Sequence, residues 1–240
     1  MSNSDVDIRK NRLLALVSDA TYNRLQPHFE VVSLPAGRIL YEPGEAIQEM
    51  FFPCGAMISF VSTMENGSTT EIGMVGYEGM TGLPAIWGGK SSTSRAIVQV
   101  GGDAIAIDAK TIKEEFARGE DLQRILLLYM QAFLTQVSQT AACNRQHATE
   151  ERLSRWLLSA RDCVHRSELP LTQEFVANML GIRRPSVTVA AGMLQQAGVI
   201  RYARGNIVIL DVATLENCAC ECYAIVKAEY ERLLGRASEG

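Results

Sequence analysis

Residues Gly181 to Leu194 read "GIRRPSVTVAAGML". The stretch opens with a glycine and two adjacent arginines, passes a proline, and then takes a helical pattern. Val187, Ala190 and Leu194 fall at spacings of three and four, so they share one inner face. Pro185 sits in the first turn, where backbone amides have no intrahelical partner. The arginines are the anomaly, because the helix dipole disfavours positive charge at this end. Something outside the helix has to favour them.

The flanking residues say what that is. Upstream, "LTQEFVANML" predicts a short helix capped by Thr172, with Val176, Ala177 and Leu180 facing inward. Gly181 then supplies a tight turn. Downstream, "VIRYARGNIVIL" reads as two extended runs about a Gly205–Asn206 tip. Two helices joined by a glycine turn and followed by a hairpin predict a winged helix-turn-helix. Arg184, Ser186, Thr188 and Val189 are left on the outer face or its edges. In such motifs the start of the second helix enters the DNA major groove. An arginine there can make a bidentate contact to guanine, worth about 1–3 kcal/mol of discrimination, against a dipole cost of at most about 1 kcal/mol. Segmental charge agrees: between Glu151 and Leu210 eight arginines face four acids, a net +4 in a chain whose total is −4.

Working outward, residues 1–27 predict a short helical lead-in with an apolar stripe of Leu13, Leu14, Leu16 and Val17. From Phe29 to Ile107 short β-rich runs ("FEVVSL", "MISFVS", "TTEIGMV") are separated by Pro35–Gly37, Pro43–Gly44 and Asn66–Gly67, which predicts an all-β sandwich or barrel. Asp121 to Gln146 contain no glycine or proline and read as one long helix. Leu122, Ile125, Tyr129, Ala132, Gln136 and Gln139 follow a heptad-like spacing, with Leu126, Phe133 and Val137 beside them. So wide a stripe points to two partners, the β domain and a second subunit, with Ile125 and Tyr129 as the candidates for the subunit face; the alternative is a core helix inside a monomer. The expected class is α+β: a β-roll sensor domain over residues 1–120, a dimerisation helix and hinge over 121–147, and a winged helix-turn-helix domain with a closing helix over 148–240.

No apolar run approaches the roughly 18 residues of a membrane span, and the polar start is unlike a signal peptide. The reading is cytoplasmic, with reduced thiols. Enzyme chemistry finds little support. His28, His147 and His165 are scattered, no nucleophile–base motif stands out, and the strands lack the histidine cluster of a β-barrel metalloenzyme. Cys218, Cys220 and Cys222 are the one dense thiol group. With residues 213–234 taken as a single helix, Cys218 and Cys222 share a face and Cys220 points elsewhere, a poor tetrahedral set. No metal is expected, and the thiols read as small apolar side chains.

The order of β-roll, long helix and winged helix-turn-helix resembles the Crp/Fnr superfamily of bacterial transcription regulators over nearly the whole chain. "LTQEFVANMLGIRRPSVTVAAGMLQQAGVI" is similar to that family's DNA-binding signature and "RYARGNIVIL" to its wing. The resemblance implies a homodimer paired through the long helix, double-stranded DNA as partner at an inverted-repeat operator, and contact with RNA polymerase. It implies a base-reading role for Arg184 and backbone contacts from Thr172, Gln173 and Arg204; Arg183, Ser186, Thr188 and Arg201 complete the expected DNA-contact set. Two positions depart from the family pattern: Pro185 stands where a glutamate is common, and Val189 where a second reader is common. The β-roll of the family often binds a cyclic nucleotide through a Gly-Glu-Leu step and an Arg-Ser pair. Here Glu78 precedes Gly79 and the pair is Ser94–Arg95, in reverse order, so a cyclic nucleotide is not expected. Gly76, Glu78, Gly79, Ser94 and Arg95 are nevertheless the candidate effector residues, for an effector of unknown identity. The rival reading is a ligand-sensing or scaffold protein whose helix-turn-helix holds another protein, which would have no need of the arginine pair.

Overall fold

A computed structural model describes residues 8–235; residues 1–7 of the lead-in and the last five residues lie outside them. Two short helices, α1 (Arg12–Leu16) and α2 (Asp19–Leu25), open the described chain. Asn11 caps α1 through its side-chain oxygen, and its amide donates to the carbonyls of Pro53 and Gly79, which pins the lead-in to the β domain.

The β domain is two antiparallel sheets. One has β1 (Glu30–Leu34), β7 (Gly102–Asp108) and β3 (Glu49–Pro53), in that order; the other has β2 (Ile39–Tyr41), β6 (Arg95–Val100), β4 (Met57–Thr63) and β5 (Thr69–Val75). Their inner faces bury Leu34, Met50, Phe52, Ile58, Val98 and Ile105. Two helices cover the roll: α3 (Leu83–Ile86), which strand texture did not predict, and α4 (Ala109–Ala117), where the sequence turns helical at about Ile112. The long helix α5 spans Asp121–Gln146. It is followed by α6 (Thr149–Val164), β8 (Glu168–Leu169), α7 (Gln173–Leu180), α8 (Arg184–Gln196), β9 (Ile200–Ala203), β10 (Asn206–Ile209), α9 (Val212–Cys218) and α10 (Cys222–Leu234). The α+β architecture of roll, long helix and winged helix-turn-helix is the expected one. Among the described residues no helix is long and apolar enough to cross a membrane.

Three local expectations are corrected. Ile125 and Tyr129 do not face outward: both are buried in the β-domain core, and the Tyr129 hydroxyl donates to the Met80 carbonyl at 3.0 Å. Periodicity identifies an apolar face but not its partner. The outward apolar residues of α5 are Leu127 and Leu134, at 48% and 65% exposure. The wing turn is Arg204–Gly205 rather than Gly205–Asn206, because Asn206 pairs with Ala203. Both turn residues have positive φ (49° and 79°), the requirement of a two-residue type I′ hairpin. Finally, residues 213–234 are not one helix. The chain is extended at Ala219 and restarts at Cys222, so that Cys220 and Cys222 both turn into the interior. That is tertiary packing overriding helix propensity.

The winged domain is not separate from the roll. Met57, Val61, Met74 and Val100 share one apolar cluster with Leu153, Trp156, Leu157, Val176 and Leu180. Glu71 of β5 is buried in this seam, where it accepts hydrogen bonds from Trp156 Nε1 at 2.8 Å and from the Ser59 hydroxyl.

Candidate nucleic-acid interface

The Thr172 hydroxyl oxygen accepts the Phe175 amide at 3.1 Å and starts α7. At the other end Gly181 has φ 62°, which an L side chain adopts only with strain. Its amide donates to the Asn178 carbonyl and that of Ile182 to the Ala177 carbonyl, the two bonds of a Schellman motif. The chain then reverses, Arg183 is extended, and α8 begins at Arg184. Val187, Ala190, Ala191 and Leu194 are buried against α6 and α7.

The outward surface of α8 carries the chemistry. Arg183, Arg184, Ser186 and Thr188 are exposed, and Val189 and Met193 stand at 62% and 52% exposure. Arg184 Nε lies 3.9 Å from a carboxylate oxygen of Glu174, with both side chains about two-thirds exposed. That carboxylate, on the first turn of α7, partly offsets the two cations at the start of α8. An exposed pair of this kind is worth about 0–1 kcal/mol, so a phosphate or a guanine edge can replace it. Gln173 and Thr188 are brought together: the Thr188 hydroxyl donates to Gln173 Oε1 at 2.8 Å. The wing is fastened to both helices, since the Gln173 amide donates to the Tyr202 hydroxyl at 3.2 Å and the Tyr202 amide to Gln195 Oε1 at 2.8 Å. Arg201 and Arg204 are exposed on that wing, Arg204 at its turn.

The other four arginines of the segment serve elsewhere. Arg152 and Arg155 are each 7% exposed. Arg152 donates to the Leu180 carbonyl and to Asn144 Oδ1. Arg161 pairs with Asp162 at 3.1 Å, and Arg166 donates to the Gly55 and Gly101 carbonyls of the roll. Sequence reasoning placed Val189 on this outward face but missed Met193, whose four-residue spacing from Val189 was the available signal.

The candidate effector residues are divided. Gly76, Glu78 and Gly79 lie where the roll meets α5 and α6: a Cβ on Gly76 would strike the Cys163 backbone, and one on Gly79 the Tyr129 ring. Glu78 Oε1 accepts the Gly76 amide at 3.0 Å, and burial raises its pKa above the usual carboxyl range. Ser94 is buried and bonded to Ser92, while Arg95 pairs with Glu42 at 2.8 Å. Glu78 lines a cavity of about 560 Å³ that Ser94 and Arg95 do not reach. Four buried polar atoms from residues lining it, Arg12 Nε, Glu78 Oε2, Arg161 Nε and the Tyr230 hydroxyl, have no hydrogen-bond partner.

Residues 151–218 match the Crp-like helix-turn-helix domain. That stretch is thus similar to a Crp-like helix-turn-helix domain, within a chain whose fold is that of the structures below. The fold likeness covers most of the molecule. A Crp-family transcriptional regulator from Thermus thermophilus superposes with TM-score 0.65 at 18% identity, over 78% of this chain and 96% of that one. FixK2 from Bradyrhizobium japonicum gives 0.67 at 15% identity, over 80% and 98%. The c-di-GMP responsive global regulator CLP of Xanthomonas campestris gives 0.64 at 14% identity, over 80% and 99%. A search of curated proteins finds no match. The match over residues 151–218 supports a DNA-binding helix-turn-helix there, and the superposed structures share the fold of the whole.

Proposed function

We propose that the chain regulates transcription as a homodimer whose two α8 helices read an inverted-repeat operator. The observation that carries this reading is the exposed face of α8, opened by Arg183 and Arg184 and held by the Schellman turn and the fastened wing. Arg184 reads a guanine through its N7 and O6. Val189 and Met193 meet thymine methyl groups, the apolar feature of the major groove. Arg183, Thr172, Gln173, Ser186, Thr188, Arg201 and Arg204 contact the backbone and the groove edge. The partner-facing stripe of α5 is Leu127 and Leu134, with the exposed Trp87 held to the same helix by its Nε1, which donates to Met130 Sδ. Contact with RNA polymerase rests on the family resemblance alone.

The cavity beside Glu78 is the effector site in this reading. Its volume lies in the range of small-molecule pockets, about 300–1,000 Å³, and its lining of Arg12, Glu78, Arg161, Asp162, His165 and Lys227 suits a small polar ligand. Cyclic nucleotides are disfavoured because Arg95, the phosphate-binding candidate, does not line that cavity.

One helix-turn-helix reads too few base pairs to select a genomic site. Two copies on one face of the duplex must be separated by about 34 Å, so half-site centres lie about 10–11 base pairs apart or at a larger whole number of turns. An operator is first selected from random DNA, then lengthened at its centre by about five base pairs. Affinity should collapse, because one half-site turns to the far side of the duplex. Undiminished binding to the lengthened site or to an isolated half-site contradicts the dimer geometry.

A further inference from the structure

The C-terminal end of α5 and the break between α9 and α10 meet at a cluster that the DNA-reading face does not use. Cys143 and His147, one helical turn apart, point from α5 toward Cys220 and Cys222. The three sulfurs and a ring nitrogen all lie within 4.8 Å of one another. Cys143 Sγ is 3.5 Å from Cys220 Sγ, and Cys222 Sγ is 3.6 Å from His147 Nδ1. A tetrahedral zinc ion with bonds of about 2.3 Å to sulfur and 2.0–2.1 Å to nitrogen would set these separations at about 3.8 and 3.6 Å. An iron–sulfur core, by contrast, needs its protein ligands spread around several atoms.

Two further observations point to a ligand. His147 Nε2 faces Glu221 Oε2 at 3.2 Å, so in the neutral ring with its proton on Nε2 the Nδ1 lone pair faces the cluster. That carboxylate–histidine arrangement is the usual outer support of a zinc ligand. The buried guanidinium of Arg155 lies beside the Cys143 sulfur, where an anionic centre needs a counter-charge. The three cysteines are otherwise a small buried group of their own, separate from both large apolar cores.

We propose that Cys143, His147, Cys220 and Cys222 bind one zinc ion as a Cys3His site that locks the hinge of the molecule. Binding releases the three thiol protons; three thiolates, one neutral imidazole and the ion make a centre of charge −1. The ion joins α5 to the α9–α10 turn across the extended residues His147 and Ala148. It thereby fixes the angle at which the winged domain leaves the long helix. Cys54, Cys163 and Cys218 take no part. The earlier expectation of no metal rested on treating His147 as isolated and residues 213–234 as one helix. The signals that pointed the other way were the Cys-x3-His spacing at 143–147 and the Cys-x-Cys at 220–222.

The test uses the full chain, reduced and stripped of metal, titrated with Co2+ and then with Zn2+. One equivalent of Co2+ should give the intense visible bands of a tetrahedral thiolate centre, and Zn2+ should bleach them. Cys218→Ser should titrate like the parent. Glu221→Gln, a change at an exposed side chain, should bind about 10–100-fold more weakly, and Cys220→Ser more weakly still. Absence of a tetrahedral spectrum in the parent overturns the proposal, as does an unchanged titration of Cys220→Ser. A Cys143–Cys220 disulfide that persists under reductant overturns it too, because the thiols would then be a redox pair.

Discussion

Arginines fill two parts of the winged domain and do opposite things there. On α6, Arg152 and Arg155 are buried; Arg152 holds the last turn of α7 through the Leu180 carbonyl. At the start of α8, Arg183 and Arg184 are exposed, and only a 3.9 Å pair with Glu174 restrains the second. Both pairs add equally to the segment's net charge, yet only the second offers charge to a polyanion. Arg161 and Arg166 belong with the first group, because Asp162 and the roll carbonyls hold them. The basic surface is thus Arg183, Arg184, Arg201 and Arg204, on α8 and its wing. A charge sum over a segment marks a domain, whereas a patch requires knowing which cations are free to leave their neighbours.

The buried side of this comparison gives the largest effect. Glu71 lies in the seam near Arg155, and burial raises its pKa to about 7, against the hydrogen bonds from Ser59 and Trp156 and the charge of Arg155, which lower it. A carboxyl with a raised pKa binds its proton more tightly when folded. Stability should therefore fall as pH rises from about 4.5 through about 7, by up to about 3 kcal/mol. Glu78 and Asp162 are shifted the same way, so the informative quantity is a difference between two proteins. Glu71→Gln keeps an acceptor for Trp156 and carries no charge. Relative to the parent it should gain stability between about pH 5 and pH 8 in denaturant unfolding, with Trp156 fluorescence as probe. Equal pH profiles would mean that Glu71 is ionised in the seam and satisfied there.

Arg152→Ala sharpens the contrast. Loss of its bonds should lower stability by about 1–3 kcal/mol, since the buried Leu180 carbonyl is left without that donor. The ratio of operator to random-DNA affinity should stay near the parent value at temperatures where the variant is folded. A changed ratio with unchanged stability would place Arg152 at the DNA.

The sequence carried the helix-turn-helix almost whole because its signals are local. Thr172, Gly181 and the inner faces of α7 and α8 act over three or four residues, and such spacings survive any tertiary context. The β domain was legible from its turn residues, though not the short helix α3 that covers it. What depends on distant contacts was not legible. The partner of Tyr129 is Met80, and Trp156 meets Glu71, 85 residues away. The thiols of Cys143 and Cys220 meet across 77 residues and break a helix to do so. The effector candidates failed to assemble for the same reason: Gly76–Gly79 and Ser94–Arg95 are near in sequence, but the roll sends them to different places.

The most direct measurement compares Arg184→Ala with Arg204→Ala on operator and random DNA over a range of salt. Arg184→Ala should lose about 1–3 kcal/mol on the operator, relax the preference at one base of each half-site, and leave random-DNA affinity far less affected. Arg204→Ala should weaken both DNAs about equally and reduce the salt slope by about 1. Equal losses on operator and random DNA for both variants would contradict base reading by the start of α8.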